Sequence, residues 1–248
     1  MNKVIRAEFG RTINAGLIIA IAGIIFSICF DSFNDLIAGL RNGQGYVGYF
    51  FSNAAFGGMC THYMLPVFTA LPFSVSLCQE RNNKAVSYIV SREGKNRYIF
   101  AKFIVSAISG GFVAACGTVL LFLMLAMRFP IAGDEFEGAV VSDYFHEWSA
   151  VYYPQLYILT LSILAFCRGV IWSSLALCVS LYTSDFMVVL LSPFLGSYVL
   201  VRIFQIIRVP DMVRPDMILI GQVVIKSSGL TLLIAICILH SLAVANAF

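Results

Sequence analysis

The apolar positions of this chain come in long runs and not in the two-residue alternation of a half-buried strand. Runs of about twenty residues cover 13–30, 59–77, 103–127, 157–181, 186–205 and 228–247. A helix rises about 1.5 Å per residue, so roughly 20 residues cross a hydrocarbon core of about 30 Å. Helices satisfy their own backbone, and the runs lack the dyad pattern of a lipid-facing barrel strand. The pattern therefore predicts an all-α, polytopic membrane protein with six transmembrane helices. One membrane domain covers residues 1–248, and residues 1–12 form a short amphipathic N-terminal helix ahead of the first span. That span is too long for a secretory leader and no small-residue cleavage site follows it, so it is expected to stay attached.

Composition sharpens this picture through its scarcity of charge. Sixty per cent of the 248 residues are hydrophobic and 12% are charged, yet "ERNNKAVSYIVSREGKNRY", residues 80–98, carries seven charged side chains. With both termini inside, the internal segments hold Lys3, Arg6, Arg11 and the basic residues of this loop, while most of the acids fall outside. Positive charge beside a span resists translocation, so the expected placement is the cell membrane with both termini cytoplasmic. Within the loop, Ala85, Val86, Ile89 and Val90 recur at helical spacing, with Arg81, Lys84, Ser87, Tyr88 and Arg92 around them. The loop reads as a surface helix that lies on headgroups, docks on a soluble partner, or serves only as a topology signal. The other internal connection is just Thr183, Ser184 and Asp185, so a partner's main handle would be residues 80–98.

Other chemistry is excluded by what the chain lacks. There is no G-x-x-x-x-G-K-[ST] phosphate loop to cradle a nucleotide, and no H-E-x-x-H. His146 supplies one histidine of a zinc pair, and His62 and His240 stand apart, so no metal site, no cofactor and no enzymatic activity are expected in this chain. The cysteines read as small apolar packing residues; Cys29 and Cys60 alone share a predicted membrane face. Basic residues follow the topology and form no stripe, so nucleic acid is not an expected partner. Every Asp and Glu lies outside the runs, which leaves no carboxylate for a proton relay.

Arg168 is the exception within a run, where a central charge costs about 2.5–3.5 kcal/mol on insertion scales. Either it faces a pathway and meets an anionic group of a cargo, or the long stretch 154–181 begins as an external or re-entrant helix that places Arg168 at an interface. Two small-residue lanes, Ser106, Gly110, Ala114 and Ala107, Gly111, Ala115, allow close helix approach within the chain or at a dimer seam. Pro66 and Pro72 are expected to bend the second span. Outside, residues 31–58 supply aromatics suited to an interfacial belt, residues 128–152 are acidic, and residues 206–217 carry two prolines before the last span.

The N-terminal "MNKVIRAEFGR", the loop after the second span and the run "VSREGKNRYIFAKF" together resemble the membrane subunit of an ABC transporter of the ABC-2 exporter type. Ser91 and Arg92, then Arg97 and Tyr98, then Lys102 match the family's serine-arginine, tyrosine and lysine spacing. The loop departs from the family in having "NNKA" where many relatives carry a glycine. The resemblance implies an ABC-2 type exporter transmembrane domain whose residues 80–98 form a coupling helix, with Arg81, Lys84, Ser87, Tyr88 and Arg92 at the contact with a separate ATP-binding cassette ATPase. That partner would supply ATP and magnesium, two permease chains would form a homodimer in membrane lipid, and the cargo would be amphipathic or hydrophobic, a peptide first. An ATP-independent carrier or channel, and a membrane scaffold or sensor without transport, are the alternative classes.

Overall fold

The computed structural model describes residues 2–42, 58–130 and 154–210, with 47 and 214. Among these are nine helices and no strand: α1 Asn2–Thr12, α2 Ala15–Asp31, α3 Phe33–Asn42, α4 Met59–Ala70, α5 Ser76–Asn82, α6 Ala85–Glu93, α7 Lys95–Ala126, α8 Pro154–Tyr182 and α9 Phe186–Ile207. Three are long and apolar enough to cross a membrane, namely α7, α8 from Leu159, and α9. A fourth crossing results if α1 and α2, bent by 57° at a short break, count as one span. The break is local chemistry. Asn14 caps α2 by accepting from the Leu17 amide at 3.1 Å, and its amide nitrogen donates to the carbonyls of Arg11 and Pro72.

Six continuous spans are therefore not what the described residues contain. The stretch 59–77, expected as one bent helix, divides into α4 and α5 around a turn at 71–75. Pro72 has no amide proton and its ring opposes a helical carbonyl one turn back, so the expected kink becomes a break. Side chains hold the turn: Asn14 donates to the Pro72 carbonyl at 3.2 Å, and the Ser74 hydroxyl pairs with that of Ser106 at 2.9 Å and with the Ser173 carbonyl at 3.0 Å, all three serines buried. Pro66, by contrast, stays inside α4. The expected sixth span, 228–247, and much of the segments 31–58, 128–152 and 206–217 expected outside lie beyond the described residues.

The body is built on the crossing of α7 and α8. A Cβ placed on Gly169 would meet the Gly110 carbonyl oxygen at 2.3 Å, and one on Gly110 would meet Ser173 at 2.4 Å, so the two backbones touch. The second lane behaves alike, with Gly111 against Phe166 and Val170. Both small-residue lanes thus pack within the chain. On the other side α2 joins through Gly23 against Phe68 of α4 and Gly117 of α7 against Ile24. Ala20, Ile24, Leu65, Val113, Ala114 and Leu161 complete the buried core of these four helices. Asp31, at the end of α2, accepts from the amides of Cys60 at 3.0 Å and Thr61 at 2.6 Å and so caps the start of α4 with negative charge. Helix α9 leaves Leu191, Leu195, Val199 and Ile206 exposed, an apolar surface suited to lipid.

Candidate functional site

The segment 76–94 forms a hook at one end of this body. Helix α5 stops at Asn82, Lys84 takes a left-handed conformation (φ 55°), and α6 starts at Ala85. Gly94 ends it at φ +85°, a value that suits a residue without Cβ, and α7 follows at once. Val86, Ile89 and Val90 pack on Leu77, Tyr98, Phe103 and Leu177. The apolar stripe expected of a surface helix is thus spent on the body, which turns Ser87 and Tyr88 outward; Tyr88 is 79% exposed.

The five residues expected at a partner contact do not all share one helix. Arg81 belongs to α5, and its guanidinium donates to the carbonyls of Ser180 at 3.1 Å and Leu181 at 2.9 Å. Those carbonyls end α8, so Arg81 supplies donors and positive charge where the helix needs both. Asn82 adds a bond to the Ser184 carbonyl at 3.3 Å. Arg81, Lys84 and Ser87 do come together along a groove of about 690 Å³ that also includes Lys95. Tyr88 and Arg92 are exposed on α6 and stand apart from that lining. Beneath the hook, Cys78 is buried and its thiol lies 3.5 Å from the Thr183 carbonyl. Burial pushes that thiol up from its ordinary range; nearby Arg81 opposes the shift and Asp185 adds to it.

Behind the hook lies a set of charges that periodicity and family spacing leave unpaired. The Lys102 ammonium, 1% exposed, sits 2.9 Å from Glu8 of α1 and 2.7 Å from Glu80 of α5, with the Ser76 hydroxyl at 3.2 Å. Arg11 closes the other side, 3.3 Å from Glu8 and in contact with Glu80, while the Tyr98 hydroxyl donates to the second Glu80 oxygen. The rings of Phe73 and Tyr98 lie 4.9 and 5.6 Å from the ammonium. Two carboxylates thus meet two cations, and Lys102 holds three elements, α1, α5 and α7, by a single buried charge. Spacing carries part of this signal: Glu8 and Arg11 are three apart, Tyr98 and Lys102 four apart, each pair on one helix face. Pairing across 94 positions has no such signature.

Arg168 lies in the interior of α8, which runs unbroken from Pro154 to Tyr182, and is 7% exposed. Within that helix the stretch long and apolar enough to cross a membrane begins at Leu159. Among the described residues no ion pair reaches Arg168. Cys29 and Cys60 are both free thiols. His146, His240 and the acidic residues 134–147 lie outside the described residues, and among those described no group of histidine, cysteine and acid side chains could hold a metal.

Comparison with protein-family models, with curated proteins and with solved structures gives no match. What fold and site define, among the described residues, is an all-helical body with three or four helices able to cross a membrane, carrying at one end a rooted helical hook braced by a buried charge cluster.

Proposed function

We propose that the chain is the permease subunit of an ATP-driven exporter of the ABC-2 type, with the hook as its coupling element. The observation that carries this reading is the hook's attachment. Helix α6 turns a polar face with Ser87 and Tyr88 outward while its apolar face and Arg81 fix it to α7 and α8. A push on such a helix reaches membrane-crossing helices through packed side chains and not through a slack loop. The sequence contributes the second support, since the chain has no phosphate loop and needs an external source of work.

In this reading α1, α5 and α6 face the cytoplasm, the basic residues of both segments orienting the chain. Ser87, Tyr88 and Arg92 meet a separate ATPase that binds ATP and magnesium, with Lys84 beside them and Arg81 positioning the hook. Two copies form the permease, and the cargo is an amphipathic or hydrophobic molecule, a peptide first. Arg168, buried in the resting bundle, becomes a pathway residue only if the α7–α8 crossing opens.

A photocrosslinker placed at Tyr88, 79% exposed on α6 and outside the groove lining, tests the reading in native membranes. Mass spectrometry is expected to identify a captured protein with a phosphate loop. Capture of lipid or of the chain alone, while a control position crosslinks well, would sink the ABC reading in favour of ATP-independent transport or a scaffold.

A further inference from the structure

The groove beside the hook has a composition that contact with a soluble partner does not account for. Its floor includes Leu77, Val90, Ile99 and Leu181, and its rim carries Arg81, Lys84 and Lys95; none of its lining residues is acidic. The two lysines, both exposed, meet no acid among the described residues. Arg81 bonds to neutral carbonyls. Position along the bundle completes the picture. Leu181 ends one apolar run, and Ile99 lies about 6 Å along α7 before the run that begins at Phe103. The floor therefore meets the hydrocarbon edge and the rim stands at headgroup depth, a basic pocket among membrane helices.

We infer that this groove binds one anionic phospholipid, its phosphate between Lys84, Lys95 and Arg81 and the upper part of an acyl chain on the apolar floor. Charge complementarity demands an anion, and the floor's continuity with the membrane runs selects an amphiphile over a soluble acidic peptide, which would leave those side chains wet. The site shares Lys84 and Ser87 with the edge of the proposed ATPase contact, while Tyr88 and Arg92 stand outside it. It stands without that reading, and the assay below contains no ATPase.

The full chain, stripped of lipid in detergent, is titrated with phosphatidylglycerol or phosphatidylcholine and read by native mass spectrometry. One phosphatidylglycerol per chain is expected to be retained, with phosphatidylcholine binding far more weakly. Lys84→Asn combined with Lys95→Gln should weaken retention by about thirtyfold, the effect of two surface cations on an anionic lipid. Asn suits the left-handed backbone at position 84. The same loss of charge at the opposite end, Arg41→Gln with Arg128→Gln, both exposed, should leave retention unchanged. Should the paired variant lose helix content by circular dichroism, Lys95→Gln alone carries the test with about a fivefold loss. Equal retention of both lipids, equal loss in the control variant, or displacement of the lipid by soluble glycerol phosphate or a soluble acidic peptide at the same concentration overturns the assignment.

Discussion

Lys102 shows how one buried charge can do the work of several contacts. A lone ammonium in an apolar interior is strongly unfavourable, and its two carboxylate partners would be equally so without it. Lys102→Met leaves Glu8 and Glu80 facing each other with Arg11 alone to balance them, and should cost about 3–5 kcal/mol in unfolding from detergent micelles. Arg11 touches the same carboxylates but its side chain is 54% exposed, so solvent screens it and Arg11→Gln should cost only about 0–1 kcal/mol. If the cluster acts as a unit, Glu8→Gln combined with Lys102→Met will cost less than the sum of the two single changes. Additive costs would mean that the two residues stabilise the bundle independently. The sequence reading noticed each of these charges without pairing them. Hydrophobic periodicity identifies which residues face inward on a helix, but a partner on another helix leaves no local mark.

At the level of the elements, glycine decides where helices touch. Gly169→Ala would set a methyl 2.3 Å from the Gly110 carbonyl, a backbone atom that cannot rotate away. The α7–α8 crossing must then widen, and overpacking of this kind costs about 1–3 kcal/mol or more. Gly10, inside α1, has nothing within 4 Å of its missing Cβ, so Gly10→Ala should raise stability by up to about 1 kcal/mol through helix propensity alone. Unfolding midpoints of the two variants should move in opposite directions. Cys78 offers a chemical view of the α4–α5 break. Its burial and raised thiol pKa predict slow maleimide labelling at neutral pH, and Arg81→Ala, which unfastens α5 from α8, should speed it. Rapid labelling of the unmodified chain would show the hook detached from the body.

Element boundaries were largely legible for α7, α8 and α9, where long apolar runs leave little choice of structure. Legibility failed at 59–77. Pro72 predicts a bend from sequence, but the break also depends on Asn14 reaching the Pro72 carbonyl and on Ser106 and Ser173 receiving the Ser74 hydroxyl, which is information about distant residues. The hook was half legible. Its stripe of Val86, Ile89 and Val90 was recognised, yet Arg81 was grouped with α6 because the Asn82–Lys84 corner that separates α5 from α6 rests on a left-handed lysine, a conformation that residue type does not announce.

For the whole molecule, the clearest division is between a tightly packed body and a polar end. The α7–α8 crossing, with no space for even a methyl, favours rigid movement of the pair over sliding between them. Under the exporter reading, a stroke on the hook should tilt α7 and α8 together. Distances between spin labels on Phe112 and Ile163, both exposed, should therefore stay constant through an ATPase cycle while the distance from Phe112 to its counterpart in the second copy changes. A change between Phe112 and Ile163 would place the moving seam at the crossing.

The tie between Glu8 and Lys102 also sets an order of events during synthesis. The two residues are separated by 94 positions, and at about 5–20 residues per second the first helix waits some 5–20 seconds for the cation that holds it. Until α7 emerges, Glu8 has only Arg11 on its own helix, so α1 is free to lie wherever its charge pattern directs it. Helix α1 is thus fixed in place by a later element, and a stalled ribosome that has not yet released Lys102 holds a chain in which α1 has no settled position.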